Sequence, residues 1–324
     1  MPDLFASLGL LTAPAILFFF VGALAAFARS DLAIPEQVAK ALSLYLMLCI
    51  GFKGGVEARM AGLSGDFLIA GGLGLAFSAL MPIAAFLILK SLTRLDRPTL
   101  CALAAAYGSV SVVTFAAGQQ HLEALGLAPN GHMAAVLALM ETPAILTALM
   151  LMHGAGSDTP VSRGAVLKEV LVGAPTVMLL GSFLVGAISG EAGMGKLALF
   201  VGPLFQGALC FFLLDLGLTA ARRLMETGRR LNRGVIAFAL GFPILSAGLA
   251  LGAGRLAGLG LADGALLAIL AGSASYIAVP AAMRLAAPKA DPGVFATASL
   301  AVTFPFNLSL GIALYVAAAA WLWA

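Results

Sequence analysis

Long runs of apolar residues alternate with short polar segments along the whole chain. Each run is close to the roughly 20 residues that an α-helix needs to cross a lipid bilayer. The pattern predicts about ten transmembrane helices, at residues 12–28, 38–58, 66–90, 98–119, 132–153, 166–189, 197–221, 234–256, 263–285 and 294–323. The sequence therefore predicts an all-α polytopic membrane protein.

Two of these spans are interrupted near their middle by small polar residues. Span four contains YGSVSVVTFAAG (107–118), and span nine contains AGSASYIAVPAAM (271–283). Glycine and serine weaken a helix, and freed backbone groups are tolerated in lipid only where protein buries them or they line a cavity. Such a break in each half of a chain is typical of the substrate site of a secondary transporter. The alternative is a pair of helix contacts between small residues.

The two halves of the chain resemble each other. Four features recur in order at offsets of 161 to 164 residues: Pro14 and Pro175, Gly55 and Gly217, the two G-S-x-S motifs, and Pro143 and Pro305. Such regular recurrence indicates an internal repeat. We expect a first five-helix repeat over 1–153, a cytoplasmic linker over 154–165, and a second five-helix repeat over 166–324.

The positive charges indicate the orientation. If the loops alternate sides, 14 of the 18 Lys and Arg residues lie on one side and 4 on the other. The positive-inside rule places the larger set in the cytoplasm, so both termini are expected to be extracytoplasmic. Because each half has an odd number of spans, the halves are predicted to be inverted relative to each other, with the two broken helices crossing.

The breaks have the chemistry of an anion site. A helix N-terminus carries a partial positive charge and unpaired N–H groups, so two of them facing one point can bind an anion without Lys or Arg. The small side chains favour a small oxyanion, and the serine hydroxyls can donate to it or cap the helices. The predicted anion-binding residues are Gly108, Ser109, Val110, Ser111, Gly272, Ser273, Ala274, Ser275 and Tyr276.

Oxygen ligands for Na⁺ are predicted nearby. Acidic residues inside spans are costly and are functional by default. Glu141 could instead cap a helix disturbed by Pro143, and Asp215 could instead pair with Arg222. The neutral candidates could also simply bond across helices. The candidate Na⁺ ligands are Glu141, Thr142, Asp215, Thr303 and Asn307.

Other polar residues have simpler interpretations. His121, His132 and His153 stand at span ends without a second ligand at metal spacing, and we expect them at the surface. The basic cluster of Arg222, Arg223, Arg229 and Arg230 is mainly a topology signal, which could also bind lipid headgroups or a soluble acidic partner. No nucleophile–base set supports an enzyme, and no organic cofactor is expected.

Several strings together resemble one known family. They are SLYLMLCIGFKGGVEAR (43–59), AAAYGSVSVVTF (104–115), NGHMAAVLALMETPAI (130–145), FFLLDLGLTAARRL (211–224), SASYIAVPAAMR (273–284) and ASLAVTFPFN (298–307). The chain resembles the sodium-dependent bicarbonate transporter family of the SbtA type over nearly its whole length. The resemblance implies ten helices in two inverted repeats, Na⁺-coupled bicarbonate uptake and a homotrimer. It also implies, in some members, a PII-like inhibitor on the cytoplasmic face.

These observations predict a secondary active transporter, a Na⁺-dependent bicarbonate symporter of the cytoplasmic (inner) membrane. One alternative is a Na⁺-coupled symporter of another small anion, such as a carboxylate. A second is a cation/proton antiporter, which shares crossed broken helices. That alternative normally requires a titrating acid at the crossing, and neither GSVSV nor GSASY contains one.

Overall fold

The computed structural model describes residues 11–62, 65–153 and 172–324, so the predicted linker, with Arg163, and the nearby Lys168 lie outside the described residues. Within the described ranges every regular element is helical, which confirms the all-α class. The helices are α1 (Pro14–Phe27), α2 (Glu36–Ala61), α3 (Gly65–Leu92), α4 (Arg97–Gly108), α5 (Val112–Ala124), α6 (Met133–Leu139), α7 (Glu141–His153), α8 (Ala174–Val201), α9 (Pro203–Thr227), α10 (Arg233–Leu256), α11 (Leu261–Ala271), α12 (Ala278–Ala286) and α13 (Pro292–Trp323).

Eight helical stretches in the described part of the chain are long and apolar enough to cross a membrane, which confirms a multi-pass membrane protein. Helices α4 and α5 together form one of them, as do α6 and α7. Helices α1 and α11 are also apolar but have only 14 and 11 residues. The count of ten spans therefore stays a prediction, because these two helices are shorter than a bilayer requires.

The helices form two packed groups. Helices α1, α2, α8 and α9 pack chiefly on one another, with the most extensive pairings between α2 and α8 and between α1 and α9. Helices α3 to α7 and α10 to α13 form the second group, in which α3 packs on α4 and α7, and α10 packs on α11. We call the boundary between the two groups the seam.

Glycines allow the closest helix crossings in the first group. Without a Cβ, glycine lets one backbone touch another, as at many helix contacts in membranes. Four of these glycines are so close to the partner helix that a Cβ would lie about 2 Å from a carbonyl oxygen: Gly22 facing Leu214 (2.1 Å), Gly55 facing Phe183 (1.9 Å), Gly186 facing Phe52 (2.1 Å) and Gly217 facing Phe19 (2.0 Å).

Helix α8 is bent at Gly190, where the backbone adopts φ 59° and ψ −154°. This left-handed value of φ suits glycine. The guanidinium of Arg59 in α2 donates to the carbonyls of Ala187 (3.1 Å) and Ile188 (2.5 Å), which the bend leaves without helical partners. Arg59 thus supplies hydrogen-bond donors to two carbonyls at the end of the first part of α8.

The broken helices lie at the centre of the molecule and α8 lies at its edge. The most apolar 18-residue stretch of Arg97–Ala124 is 100% buried within the protein, whereas that of Ala174–Val201 is 22% buried. Exposed residues of α8 such as Ile188 and Leu184 are large and apolar, as expected of a surface that faces lipid. The fold therefore surrounds the G-S-x-S stretches with protein on all sides.

Candidate functional site

The two G-S-x-S stretches interrupt their helices and contact each other. Helix α4 ends at Gly108 and α5 begins at Val112, while α11 ends at Ala271 and α12 begins at Ala278. The backbone N–H of Ser111 donates to Oγ of Ser273 (2.9 Å). The backbone N–H of Ser275 donates to the carbonyl of Ala106 (2.8 Å). The interrupted helices therefore cross with a hydrogen bond in each direction. We call this place the crossing.

Serine hydroxyls cap both second half-helices. Oγ of Ser111 accepts from the N–H of Thr114 (3.1 Å), and Oγ of Ser275 accepts from the N–H of Val279 (3.3 Å). The Ser111 hydroxyl donates in turn to the hydroxyl of Tyr276 (3.2 Å). First-turn N–H groups have no acceptor within their own helix, so these serine hydroxyls supply the acceptors for Thr114 and Val279.

The hydroxyls of Ser109 and Ser273 donate to backbone carbonyls instead. The Ser109 hydroxyl donates to the carbonyl of Glu141 (3.4 Å), and the Ser273 hydroxyl donates to the carbonyl of Leu270 (2.7 Å). Both side chains are buried, with 2% exposure each. Ser273 thus links the end of α11 to the backbone of Ser111.

Gly108 and Gly272 make room for neighbouring helices, which the sequence alone did not predict. A Cβ on Gly108 would lie 2.2 Å from Cγ of Pro82 in α3. A Cβ on Gly272 would lie 2.9 Å from the ring of Tyr315 in α13 and 3.0 Å from the carbonyl oxygen of Pro243 in α10. The glycines therefore allow neighbouring helices to press against the ends of α4 and α11. A larger side chain at either position would therefore strike a neighbouring helix.

A narrow cavity lies beside the crossing. It measures about 10 Å³, which is room for a single water. Its walls include Val110, Ser111, Ser275, Tyr276 and the carboxyl-bearing Glu141. Ala274 is buried among apolar residues behind it. Among the described residues that line this cavity there is no Lys or Arg.

A wider cavity of about 580 Å³ adjoins the narrow one and leads towards the arginine-rich end of the molecule. The two cavities share Glu141 and Tyr276 among their walls. Lys40, Arg223 and Asp215 line the wider cavity only. The crossing is therefore connected to one end of the molecule, and an anion larger than water would have to widen the narrow part.

Glu141 lies next to the crossing at the start of α7. Its side chain is buried, and its carboxylate accepts a hydrogen bond from Oγ1 of Thr176 (3.4 Å). Span five is interrupted between α6 and α7, just before Glu141. Thr142 is half-buried and is not among the residues that line either cavity.

Thr303 and Asn307 lie on the other side of the broken helices. The Thr303 hydroxyl donates to the carbonyl of Ala239 (2.7 Å) and bonds to the Tyr107 hydroxyl (2.6 Å). The Asn307 amide donates to the carbonyl of Gly272 (2.8 Å). Both residues belong to π-helical turns of α13, which often occur at functional sites. Neither residue lines the narrow or the wide cavity: Thr303 bonds to Tyr107 of α4, and Asn307 bonds to Gly272, just after α11.

The family model of the Na⁺-dependent bicarbonate transporter superfamily matches residues 14–320. The chain belongs to this superfamily. No individual curated protein matches the chain. Membership identifies a transporter rather than an enzyme and implies that Na⁺ and bicarbonate are its transported ions. It also confirms the family resemblance that the sequence strings indicated.

The four arginines of the predicted basic cluster do not form one free surface. The Arg222 guanidinium donates to the carbonyl of Leu32 (2.7 Å), and Arg223 lines the wide cavity. Arg230 pairs with Asp291 at 3.4 Å, and Arg229 is exposed. Only Arg229 and Arg230 are therefore exposed enough to meet a partner directly.

Two of the predicted surface histidines are buried, which corrects the expectation from sequence. His121 and His132 have 5% and 2% exposure. Nε2 of His132 lies 3.5 Å from a carboxylate oxygen of Asp263, which also accepts from Asn130. A polar residue at the end of a span can face inwards to a partner from another helix, and sequence position alone does not show this.

Sequence reasoning also missed three residues of the transporter site. Ser78 of α3 lies against the interruption of span five, Thr176 of α8 bonds to Glu141, and Tyr107 bonds to Thr303. Tyr107 belongs to the interrupted stretch and could have been singled out as a polar group in an apolar span. Ser78 and Thr176 carry no local signal, because single hydroxyls are common in transmembrane helices.

Proposed function

We propose that the protein imports bicarbonate together with Na⁺ and that the anion binds at the crossing. The observation that carries this proposal is the hydrogen-bonded contact between the two breaks, where both second half-helices begin beside a narrow cavity. An anion there would be stabilised by helix N-termini and by the hydroxyls of Ser111 and Ser275. Gly108, Ser109, Ser273 and Ala274 would hold the backbone in position.

Glu141 supplies the reason for coupling to Na⁺. Its carboxylate lines the same narrow cavity, so an anion that enters alone would be repelled. A Na⁺ ion bound to this carboxylate would remove the repulsion, and each ligand would raise the affinity for the other. Asp215, on the wall of the wide cavity, would attract the cation on its route. Thr142, Thr303 and Asn307 remain further candidate ligands for Na⁺.

We propose two inverted five-helix repeats, over 1–153 and 166–324, with the residues 154–165 as cytoplasmic linker and both termini extracytoplasmic. The four close glycine contacts support this arrangement. The contact of Gly22 with Leu214 corresponds to that of Gly186 with Phe52 when α1 is matched to α8 and α2 to α9. The contact of Gly55 with Phe183 corresponds in the same way to that of Gly217 with Phe19.

Uptake into proteoliposomes tests the proposal. Purified protein should accumulate radiolabelled bicarbonate when an inward Na⁺ gradient is imposed, and an equal K⁺ gradient should give no accumulation. Excess unlabelled formate or acetate should compete poorly if bicarbonate is the substrate. Na⁺-driven uptake of a carboxylate without bicarbonate uptake would favour the small-anion alternative, and Na⁺/H⁺ exchange without any anion would favour the antiporter.

We further propose a homotrimer in the cytoplasmic (inner) membrane that binds a PII-like regulatory protein through its basic cytoplasmic end. Arg229 and Arg230 are the accessible part of that surface, whereas Arg222 and Arg223 are engaged within the protein. The double change Arg229→Ala/Arg230→Ala should abolish co-purification with a PII-like trimer. Arg222→Ala should reduce it less, and retention in the double variant would contradict this docking surface.

A further inference from the structure

Four cavities of the described chain lie along the seam between the two helix groups. Two of them are the narrow and the wide cavity already described, and the other two measure about 290 Å³ and about 470 Å³. Helices α2 and α9 on one side and α5 on the other side contribute to the walls of the 290 Å³ cavity. A boundary that contains so much empty space is where two bodies can move relative to each other.

Two polar contacts cross the seam at the end opposite the arginines. The ammonium of Lys53 in α2 lies 2.9 Å from a carboxylate oxygen of Glu123 in α5. The amide of Gln120 in α5 donates to the side-chain oxygen of Gln206 in α9 (2.9 Å). Lys53 also lies 3.8 Å from Glu57 on its own helix. The shorter of the two ion pairs joins different helix groups.

This end of the seam is separated from the crossing. The 290 Å³ cavity beneath Lys53 shares no lining residue with the narrow cavity, whereas the 580 Å³ cavity at the arginine-rich end does. Apolar side chains, including Ile50 and Phe115, line it together with the buried Cys49. The cavity at the arginine-rich end of the seam therefore reaches the crossing, and the cavity at the Lys53 end does not.

We propose that Lys53 is a positioning residue that holds this end of the seam closed through its ion pair with Glu123, and that the pair must break before the crossing can open to this side. The proposal rests on the transport function proposed above. The Gln120–Gln206 bond acts as a second tie at the same end.

The strength of such a tie suits a reversible gate. The two side chains are 37% and 41% exposed, so water competes for both charges. Exposed pairs of this kind shift an equilibrium by about two- to fivefold. That is enough to bias the seam towards closure, and small enough to be broken in every transport cycle.

Cys49 is a native reporter for the closed state. It lines the 290 Å³ cavity and has 2% exposure. In a chain that carries Cys101→Ala and Cys210→Ala, Cys49 becomes the single thiol. Its reaction rate with a water-soluble methanethiosulfonate, measured in nanodiscs, reports opening of the seam. Both faces of a nanodisc meet the reagent, so no orientation is assumed, and neither Na⁺ nor bicarbonate is needed.

The expected result is that Lys53→Met and Glu123→Gln each raise the labelling rate about two- to fivefold. A cationic and an anionic reagent should both show the rise, since a change in local potential alone would move them in opposite directions. The swap Lys53→Glu/Glu123→Lys should return the rate towards that of the parent. Lys196→Met removes an exposed lysine from α8 and is the matched control, which should label like the parent.

Two results would overturn the proposal. The first is a labelling rate in Lys53→Met and Glu123→Gln equal to that of the parent. The second is a charge-swapped chain that labels as fast as the single variants, which would mean that the pair does not act as a pair. Because labelling requires no substrate, either outcome is distinct from a failure of bicarbonate uptake. If the variants show the expected rise in labelling but the protein does not transport bicarbonate, the gate proposal stands and the proposed substrate is wrong.

Discussion

At the residue scale, the proposed anion site requires the serines at the crossing to serve a helix end and an anion with the same hydroxyl group. The lone pairs of Ser111 accept from the Thr114 N–H, and its proton points to Tyr276. A hydroxyl has one proton and two acceptor sites, so it can keep the cap while its proton turns to a new acceptor. An arriving anion would therefore replace the Tyr276 hydroxyl as the partner of that proton.

Substitution of these serines is expected to weaken anion binding. Ser111→Ala and Ser275→Ala each remove a hydrogen bond to a charged group, about 1.5–3 kcal/mol, which is roughly ten- to hundredfold in affinity. Both should raise the bicarbonate concentration that gives half-maximal Na⁺-driven uptake. Loss of the caps should also cost about 1 kcal/mol of stability, so uptake is compared at equal amounts of folded protein.

Ser91→Ala is the control for the serine variants, because Ser91 is exposed at the end of α3 and bonds only to Ile88 of its own helix. It should transport like the parent. If Ser111→Ala and Ser275→Ala also transport like the parent, the crossing is a packing motif and the anion binds elsewhere.

Glu141 and Asp215 are expected to differ in their effect on Na⁺ dependence. Glu141→Gln removes the charge beside the crossing and should raise the Na⁺ concentration for half-maximal uptake by at least about tenfold. Asp215→Asn should have a smaller effect, because Asp215 lines only the wide cavity. The measurement is initial uptake against Na⁺ concentration at fixed bicarbonate. Unchanged Na⁺ dependence in both variants would show that neither acidic residue binds Na⁺ and that their roles are structural.

Residue types alone predicted part of this site. Polar groups in apolar spans identified the serines and Glu141, because their cost in lipid requires an explanation. The directions in which Gly108 and Gly272 make room could not be predicted, since these depend on Pro82 and Tyr315 in other helices. The partner of Lys53 was missed for the same reason. A contact within one helix follows from spacing, but a contact between helices requires the fold.

At the element scale, interruptions of helices occur in spans four, five and nine. The breaks in spans four and nine follow from glycine and serine, which the sequence shows directly. The interruption before Glu141, in contrast, involves a residue of another helix, Ser78 of α3. Its hydroxyl donates to the carbonyl of Met140 (2.6 Å) and accepts from the N–H of Ala144 (3.1 Å). It therefore occupies the place of the missing bond between residues four apart.

Ser78→Ala should destabilise the protein more than loss of an ordinary serine. The change leaves the carbonyl of Met140 and the N–H of Ala144 buried without this partner, at a cost of about 1–3 kcal/mol. Thermal unfolding in detergent should show a clearly lower midpoint. Ser309→Ala is the comparison, because Ser309 bonds only to carbonyls of its own helix. Equal midpoints for the two variants would show that the inserted hydroxyl contributes nothing special.

At the scale of the whole molecule, composition and periodicity predicted a helical membrane protein, and charge predicted its orientation. The seam could not be predicted, because it depends on which helices pack together and not on any one of them. Helix α11 has 11 residues, and it is followed by the break and by α12. A span built from two short pieces satisfies the backbone groups at its break through neighbouring helices, so neither α11 nor α12 alone has the length of a span.

Topology is the property on which the inverted repeat depends. In a chain with Cys49→Ala, Cys101→Ala and Cys210→Ala, single cysteines are introduced by Ala324→Cys, Lys196→Cys or Arg229→Cys. In intact cells, an impermeant thiol reagent should label the first two and should reach the third only after the membrane is opened. This follows because 14 of the 18 basic residues are expected in the cytoplasm.

The C-terminal position decides the matter. Ten spans return the C-terminus to the side of the N-terminus, whereas an odd number would place it opposite. If Ala324→Cys is protected until permeabilisation while Lys196→Cys is labelled, α11 with α12 does not cross the bilayer, because α9, α10 and α13 alone give an odd number of spans between the two positions. The two halves would then no longer each have an odd number of spans. The breaks at Ser111 and Ser275 could still meet, but the inverted repeat could not explain why they do.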